Sequence, residues 1–346
     1  IGKRFKLVHV FNRSELIEVA TFRSGNNGFN DGNLVTDQSG KIIRDNVWGT
    51  LEEDTYRRDF TINALYYCPI TGKIEDHNKG LKHIHNKEIV SIGDPDLRFE
   101  EDPVRSLRAI RFCTKLNFKI NNNIKEAIYK KGHLLSSVSN ARLFDEFCKI
   151  FLNGMAEKNF NKLVSFGLNK YLVSTNLNGC EFSNQLIIEA LRNTDNRIKN
   201  NQSVTPGFLI AALLWPQLIK KSLKGNEINL KKFFRSMDSI LRNQQKITAI
   251  PRKFHTYIKD IWVLQLKLHS RIGRQPYKTL KHPRFRAAYD FLLVREKAAA
   301  KTKDLGFWWT EFQKNNEDLK KKLINDLKKN NLEESSKIFG FSKELR

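Results

Sequence analysis

The sequence predicts an α+β fold, with short strands before about Ile92 and a chain that is helical almost throughout beyond Phe118. Three observations carry this. Phe5 to Val10 and Glu15 to Phe22 alternate as half-buried strands do. Lys73 to Asp76 and Glu88 to Ile92 read as two further short strands. Beyond Phe118, apolar residues return at helical spacing over Asn122 to Lys131, Ala141 to Leu152 and Glu157 to Phe166, broken at Gly132 to Asn140 and at Asn153-Gly154.

Composition narrows the partner. The chain has 346 residues, enough for two or three domains, with 61 Lys and Arg against 37 Asp and Glu, a formal charge of +24. The excess runs through all segments and points to a polyanion, nucleic acid before membrane. No apolar run approaches the roughly 20 residues needed to span a bilayer, and no signal peptide opens the chain. Cys68, Cys113, Cys148 and Cys180 lie far apart, which suggests neither a zinc ribbon nor a disulfide framework; they read as core residues in a reducing cytoplasm.

Taken in order, the chain opens at Ile1 directly into a strand pattern, so it is expected to begin inside a domain. On the second strand Glu18 shares a face with Leu16 and Ala20. It is either a solvent-facing edge residue or a ligand for a catalytic cation. Ser24 to Gly40 is rich in Gly, Asn and Asp and reads as a loop; Gly25, Gly28 and Gly32 fit neither the P-loop nor the dinucleotide fingerprint. His77, His83 and His85 lack the spacing and the cysteines of a zinc site and read as surface residues.

The stretch Arg57-Arg58-Asp59-Phe60-Thr61-Ile62-Asn63-Ala64-Leu65-Tyr66-Tyr67 reads as two arginines and an aspartate before a short helix buried on Ile62, Leu65 and Tyr66. Guanidiniums at a helix N-terminus suit phosphate oxygens. Asp59 either caps the helix or accepts hydrogen bonds from sugar hydroxyls. In a second stretch, Asp102-Pro103 starts a helix with Val104, Leu107 and Ile110 on one side and Ala109, Phe112 and Leu116 on another. Asp102 and Arg105, three apart, form either an intrahelical ion pair or an acceptor–donor edge for a nucleobase.

Arg57 to Leu65, Ile92-Gly93-Asp94-Pro95, Arg98 to Arg105 and Leu107 to Phe112, in that order and spacing, resemble the class II nucleotidyltransferases. That family comprises bacterial poly(A) polymerases and the enzymes that add CCA to tRNA. The resemblance implies a polymerase beta-like nucleotidyltransferase head followed by an all-helical neck, body and RNA-binding region. It implies nucleotide contacts at Arg57, Arg58 and Asp59, base reading at Asp102 and Arg105, and a further phosphate or base contact at Arg108. Glu18 matches the strand that supplies a third carboxylate to two magnesium ions. The glycine-rich segment and Asp-x-Asp strand that hold those ions precede the region equivalent to Ile1 in the family. The chain is therefore expected to be a fragment, inactive alone. The implied reaction is attack by an RNA 3′-hydroxyl on the α-phosphate of ATP.

Arg142-Leu143-Phe144-Asp145-Glu146 resembles a further family block beside the nucleotide pocket, though an ordinary helix start with a surface ion pair explains it equally well; Arg142 is counted with the RNA contacts. Asn193 to Ile198, Pro251-Arg252-Lys253, Asp260 to Leu266, His282 to Asp290 and Trp308-Trp309 resemble the poly(A) polymerase branch rather than the CCA-adding one. In this region Arg271, Arg274, Lys278, Lys281, Arg284 and Arg286 alternate with Tyr277, His282, Phe285 and Tyr289. The basic groups are expected to track RNA phosphates, while the spacing of Trp262, Phe285 and Tyr289 points inward. From about Asn315 the chain reads as a frayed amphipathic helix or disorder. The expected divisions are 1–97 (head), 98–178 (neck), 179–313 (RNA-binding region) and 314–346 (tail). The implied partners are RNA 3′ ends, ATP and auxiliary RNA-processing proteins, in the cytoplasm and away from membranes. The alternatives are CCA addition and a non-catalytic RNA-binding remnant.

Overall fold

A computed structural model describes residues 7–13, 15–24, 35–36, 42–44, 48–174, 181–224, 227–298, 302 and 304–329. The chain divides into two compact units, 1–137 and 138–346. Among the described residues the first is α+β and the second helical apart from one two-residue strand pair.

In the first unit, β1 (Leu7–Asn12) and β2 (Glu15–Ala20) form an antiparallel hairpin that sets His9 opposite Glu18. Val8, Val10, Leu16, Ile17 and Val19 are all exposed on it. Inside the expected Ser24–Gly40 loop lies β3 (Val35–Thr36), which pairs with β4 (Ile42–Arg44) just beyond it; 25–34 and 37–40 lie outside the described residues. Helix α1 (Leu51–Tyr56) starts in a capping box, with Glu53 N donating to the Thr50 hydroxyl at 3.2 Å and Thr50 N to the Glu53 carboxylate at 2.7 Å.

The helix expected after Asp59 is not there. Thr61–Asn63 makes a single 3-10 turn, and the chain then enters β5 (Leu65–Tyr67), paired with β6 (Ile74–Asp76). The three-residue spacing of Ile62 and Leu65 is too short a sample to separate a helix from a turn and strand. After α2 (Gly80–His85), β7 (Glu88–Ile89) runs parallel to β8 (Lys119–Ile120). Parallel neighbours need a crossover, supplied here by α3 (Pro95–Glu101) and α4 (Val104–Leu116). Helix α5 (Asn122–Lys131) follows. Phe60, Phe99, Leu107, Ile110 and Ile128 make the core; Leu116, expected inside, is exposed.

The second unit contains α6 (Asn140–Phe151), α7 (Ala156–Ser165) and α8 (Glu181–Lys199), then α9 (Pro206–Ser222). Eleven of the 17 residues of α9 are buried. A helix apolar all round belongs at a centre, and α8, α10 (Leu230–Gln245), α11 (Arg252–Leu268) and α13 (Phe285–Lys297) pack on it. The pair β9 (Leu223–Lys224) and β10 (Glu227–Ile228) joins α9 to α10, and α12 (Gln275–Leu280) joins α11 to α13. Trp262 Nε1 donates to the Ala211 carbonyl at 2.9 Å, so this tryptophan points inward as its spacing predicts. Phe285 and Tyr289 are also buried, against Trp308, Trp309 and Phe312 of α14 (Leu305–Lys314). The tail is helical in α15 (Glu317–Lys329), which docks Ile324 on that cluster; 330–346 lie outside the described residues. No helix among the described residues is long and apolar enough to cross a membrane.

Candidate functional site

Since α1 precedes Arg57 and ends there, the paired arginines stand at a helix C-terminus, not at the N-terminus expected from the sequence. The partial negative charge of that end favours guanidiniums. What fixes them is Asp54, buried one turn earlier. Its Oδ1 accepts from Arg57 Nε at 2.8 Å and from Arg23 N at 3.3 Å. Its Oδ2 accepts from Arg58 Nη2 at 3.0 Å, Arg58 Nε at 3.2 Å and the Tyr66 hydroxyl. Burial pushes the Asp54 carboxyl up, but the hydrogen bonds from Tyr66 and Arg57, with the charge of Arg57 and the Arg58 bond, outweigh it and hold the group below its ordinary value. Tyr66 is pushed up to about 12, by burial and by its bond to Asp54. Arg58 Nη1 also donates to the Asn63 carbonyl at 3.1 Å.

Arg98 of α3 clamps the same turn from the other side. Its Nη2 donates to the carbonyls of Arg57 and Arg58, each at 2.7 Å, and its Nη1 pairs with Glu101 at 2.6 Å. Burial and the adjacent Arg105 guanidinium lower its pKa. Arg105 Nη1 donates to Glu101 and to the Arg98 carbonyl, both at 2.9 Å. Of the two readings open for Asp102 and Arg105, the ion pair gives way to one between Glu101 and Arg105. Asp102 sits between α3 and α4 as the C-cap of α3 and accepts from Val104 N at 3.2 Å; the N-cap of α4 is Pro103, not Asp102 as expected from the sequence.

Asp59 is buried and does not cap the 3-10 turn; the N-cap there is Phe60. Its Oδ1 accepts from Phe60 N at 2.9 Å and Asn63 Nδ2 at 3.0 Å, and its Oδ2 from Arg108 Nε. A carboxylate has about four lone-pair sites, so among the described residues one acceptor position is left, on Oδ2. The first unit thus brings Arg57, Arg58, Asp59, Asp102, Arg105 and Arg108 onto one turn and the two helices that hold it.

Glu18 stands apart from that cluster on β2, exposed, with the His9 imidazole 3.5 Å away across the hairpin. One exposed carboxylate beside a histidine does not make a two-metal site, and no three His, Cys, Asp or Glu side chains among the described residues could hold an ion.

In the second unit Arg142 is exposed on the first turn of α6, and Arg274, Lys281, Arg284 and Arg286 are also exposed. Arg271 differs from them. It is half-buried over Trp308, its guanidinium carbon 5.5 Å from the ring centroid, and burial lowers its pKa. Read from the sequence as one of the groups that track RNA phosphates, Arg271 therefore also packs on the core. Two blocks picked out in the sequence meet directly, Arg197 Nη1 lying 3.2 Å from Asp290.

Residues 1–90 match the family described as the poly A polymerase head domain, 117–175 the probable RNA and SrmB-binding site of polymerase A, and 226–338 the polymerase A arginine-rich C-terminus. Poly(A) polymerase I of Salmonella typhi is 38% identical over 340 residues, covering 94% of this chain and 73% of that protein. The chain belongs to the poly(A) polymerase family. A CCA-adding enzyme of Bacillus pumilus is more distant, 28% identical over 73% of this chain and 65% of its own. Among solved structures, a tRNA-processing enzyme in an apo form matches with a TM-score of 0.60 at 19% identity, over 93% of this chain and 83% of its own, a likeness of fold.

Within this poly(A) polymerase family chain, sequence reasoning missed Asp54, Arg98, Glu101 and the hydroxyl of Tyr66. The signal for Asp54 was available. Thr50 and Glu53 make a capping-box pattern, which starts a helix early enough to set Asp54 three and four residues before the arginines. Arg98 and Glu101 lie inside a stretch that carries the family resemblance, but only the fold shows that Arg98 reaches 40 residues back to the Arg58 carbonyl.

Proposed function

We propose that this chain holds ATP and RNA for a polynucleotide adenylyltransferase that extends RNA 3′ ends. One observation carries the reading: the Arg57 and Arg58 guanidiniums are braced on buried Asp54, and Arg108 is fixed on Asp59 beside them. Such an array is organised before a triphosphate arrives, so little reorganisation is needed to meet its charge.

In the reaction the 3′-oxygen of the RNA forms a bond to the α-phosphorus of ATP and loses its proton, and the bond from that phosphorus to the bridging oxygen breaks. Pyrophosphate leaves. In this reading Arg57 and Arg58 neutralise the charge that builds on the leaving group, and the last acceptor position of Asp59 takes a ribose hydroxyl. Asp102 and Arg105 read the base edge, with Glu101 and the Arg98 carbonyl setting the position of the Arg105 fork. Arg142, Arg271, Arg274, Lys281, Arg284 and Arg286 contact RNA.

Magnesium belongs to the same reading, Glu18 being the carboxylate that the described residues offer toward it, and no step is derived through the ion. The four divisions at 97/98, 178/179 and 313/314 are kept as functional segments. Auxiliary RNA-processing proteins, a cytoplasmic setting and roles in mRNA polyadenylation and RNA decay complete the proposal.

The test is an extension assay with the complete gene product. Addition of adenylate alone to the 3′ end of an unstructured RNA is expected, slowed by Arg58→Ala. Ordered addition of two cytidylates and one adenylate to tRNA lacking its terminus would transfer the chain to the CCA-adding reading.

A further inference from the structure

A pocket of about 220 Å³ opens in the helical unit, where the starts of α9 and α13 and the first half of α11 meet the last turn of α8. Sites that engulf a whole small molecule run to about 300–1,000 Å³, so this one suits a single residue of a longer ligand. Arg197, Arg284 and Arg286 line it against one carboxylate, Asp290. That carboxylate is already engaged at both oxygens, by Arg197 Nη1 at 3.2 Å and by Arg286 Nε at 3.0 Å. Arg284 has no carboxylate partner among the described residues. Its guanidinium carbon lies 4.9 Å from the centroid of the Tyr257 ring. Two guanidinium charges in the pocket are therefore uncompensated.

The wall is built to hold that ring. Tyr257 packs on Gly207, where an added Cβ would meet the ring Cδ1 at 2.8 Å, so any larger residue at 207 displaces it. Thr205, also in the wall, caps α9 by accepting from Phe208 N at 3.2 Å, which fixes the neighbouring turn. A flat ring behind a guanidinium leaves the N–H fork as the part that meets a ligand, and a fork matches phosphate oxygens two at a time.

We propose that this pocket seats one nucleotide of an RNA strand, its phosphodiester held by Arg284 and Arg286 and the Arg284 fork positioned by Tyr257. The proposal rests on the RNA-binding part of the function proposed above. It differs from diffuse electrostatic attraction in naming Tyr257, an uncharged residue, as necessary for tight binding.

The experiment titrates the full chain with a twelve-nucleotide oligoadenylate over a salt series, comparing wild type with Arg284→Ala, Tyr257→Ala and Tyr257→Phe, each checked by circular dichroism melting. Wild type should bind. Arg284→Ala should lose roughly tenfold or more in affinity, as expected for a hydrogen bond to a charged group. Its slope of log affinity against log salt should fall by about 0.7, one phosphate's worth for a single strand. Tyr257→Ala should lose affinity similarly, while Tyr257→Phe, which keeps the ring, should bind as wild type does. Arg284 is exposed, so its variant keeps the experiment decisive even if Tyr257→Ala does not fold. Wild-type binding with unchanged affinity and slope in Arg284→Ala overturns the pocket and leaves the RNA reading standing; no RNA binding by wild type overturns both. Tight binding of ATP or inorganic phosphate alone, with the same Arg284 dependence, overturns the strand assignment by making this a free-anion site.

Discussion

Asp54 receives Arg58 through both Nε and Nη2 on a single oxygen, at 3.2 and 3.0 Å, in a carboxylate that is only 2% exposed. Asp54→Asn would leave two guanidiniums facing an amide that cannot compensate them. The arginine side chains are 30% and 40% exposed, so water softens the loss. A cost of about 1–3 kcal/mol is expected in urea unfolding, with weaker ATP binding. The pH dependence has a defined sign. The folded carboxyl titrates below its ordinary value, so its contribution is present above about 3.8 and lost as pH falls through the folded value; Asp54→Asn abolishes that component.

Arg98→Lys tests the clamp. A lysine keeps the charge but is a point donor, whereas Arg98 reaches the carbonyls of Arg57 and Arg58 and the Glu101 carboxylate at once. ATP affinity should fall by roughly tenfold with the fold intact; equilibrium dialysis with labelled ATP measures it.

Arg105→Ala in the complete gene product should relax the preference for ATP over CTP, by the about 1–3 kcal/mol that a base-edge contact supplies. Glu101→Ala should do the same to a smaller degree, because it releases the Arg105 fork from one side only. Single-nucleotide incorporation with each triphosphate gives the ratio.

His269 gives the helical unit an acid limit. Burial, with Arg295 and then Arg271 nearby, lowers its pKa from 6.5 to about 3. The unfolded chain therefore binds the extra proton first, and stability should decline as pH falls below about 6.5, by at most about 1.4 kcal/mol per unit. Urea midpoints between pH 7 and 5 should show this slope, and His269→Gln should flatten it.

The basic residues should separate by burial. Changing Arg274 and Lys281 together to Gln should leave the melting temperature unchanged and lower the salt slope of RNA binding by about 0.7 for each phosphate that is no longer neutralised. Arg271→Gln should lower the melting temperature, since it removes the group stacked on Trp308.

Long periodic elements were legible in the sequence. Helix α4 and helices α5 to α7 stand where apolar spacing puts them, and Trp262, Phe285 and Tyr289 point inward as that spacing predicts. The turn after Asp59 was not, because three residues cannot display a period and the partner that settles the matter, Ser91 bridged to Phe60, is 31 positions away. The site was legible in its residue types and less so in its pairings. Arg108 with Asp59 spans 49 positions, and no local pattern marks it. Arg105 could choose between adjacent acids three and four residues back, and the break between α3 and α4 decided for Glu101: Asp102 is extended there, and its carboxylate accepts from Val104 N.

Asp195 of α8 receives the amides of Ala156 at 2.6 Å and Glu157 at 3.1 Å, the first two residues of α7. The end of one helix is thereby sealed by a side chain from another. Hydrogen exchange at those two amides consequently reports the detachment of α8, not fraying of α7. Isotope labelling followed at Ala156 and Glu157 would time the opening of this helix pair as one cooperative event.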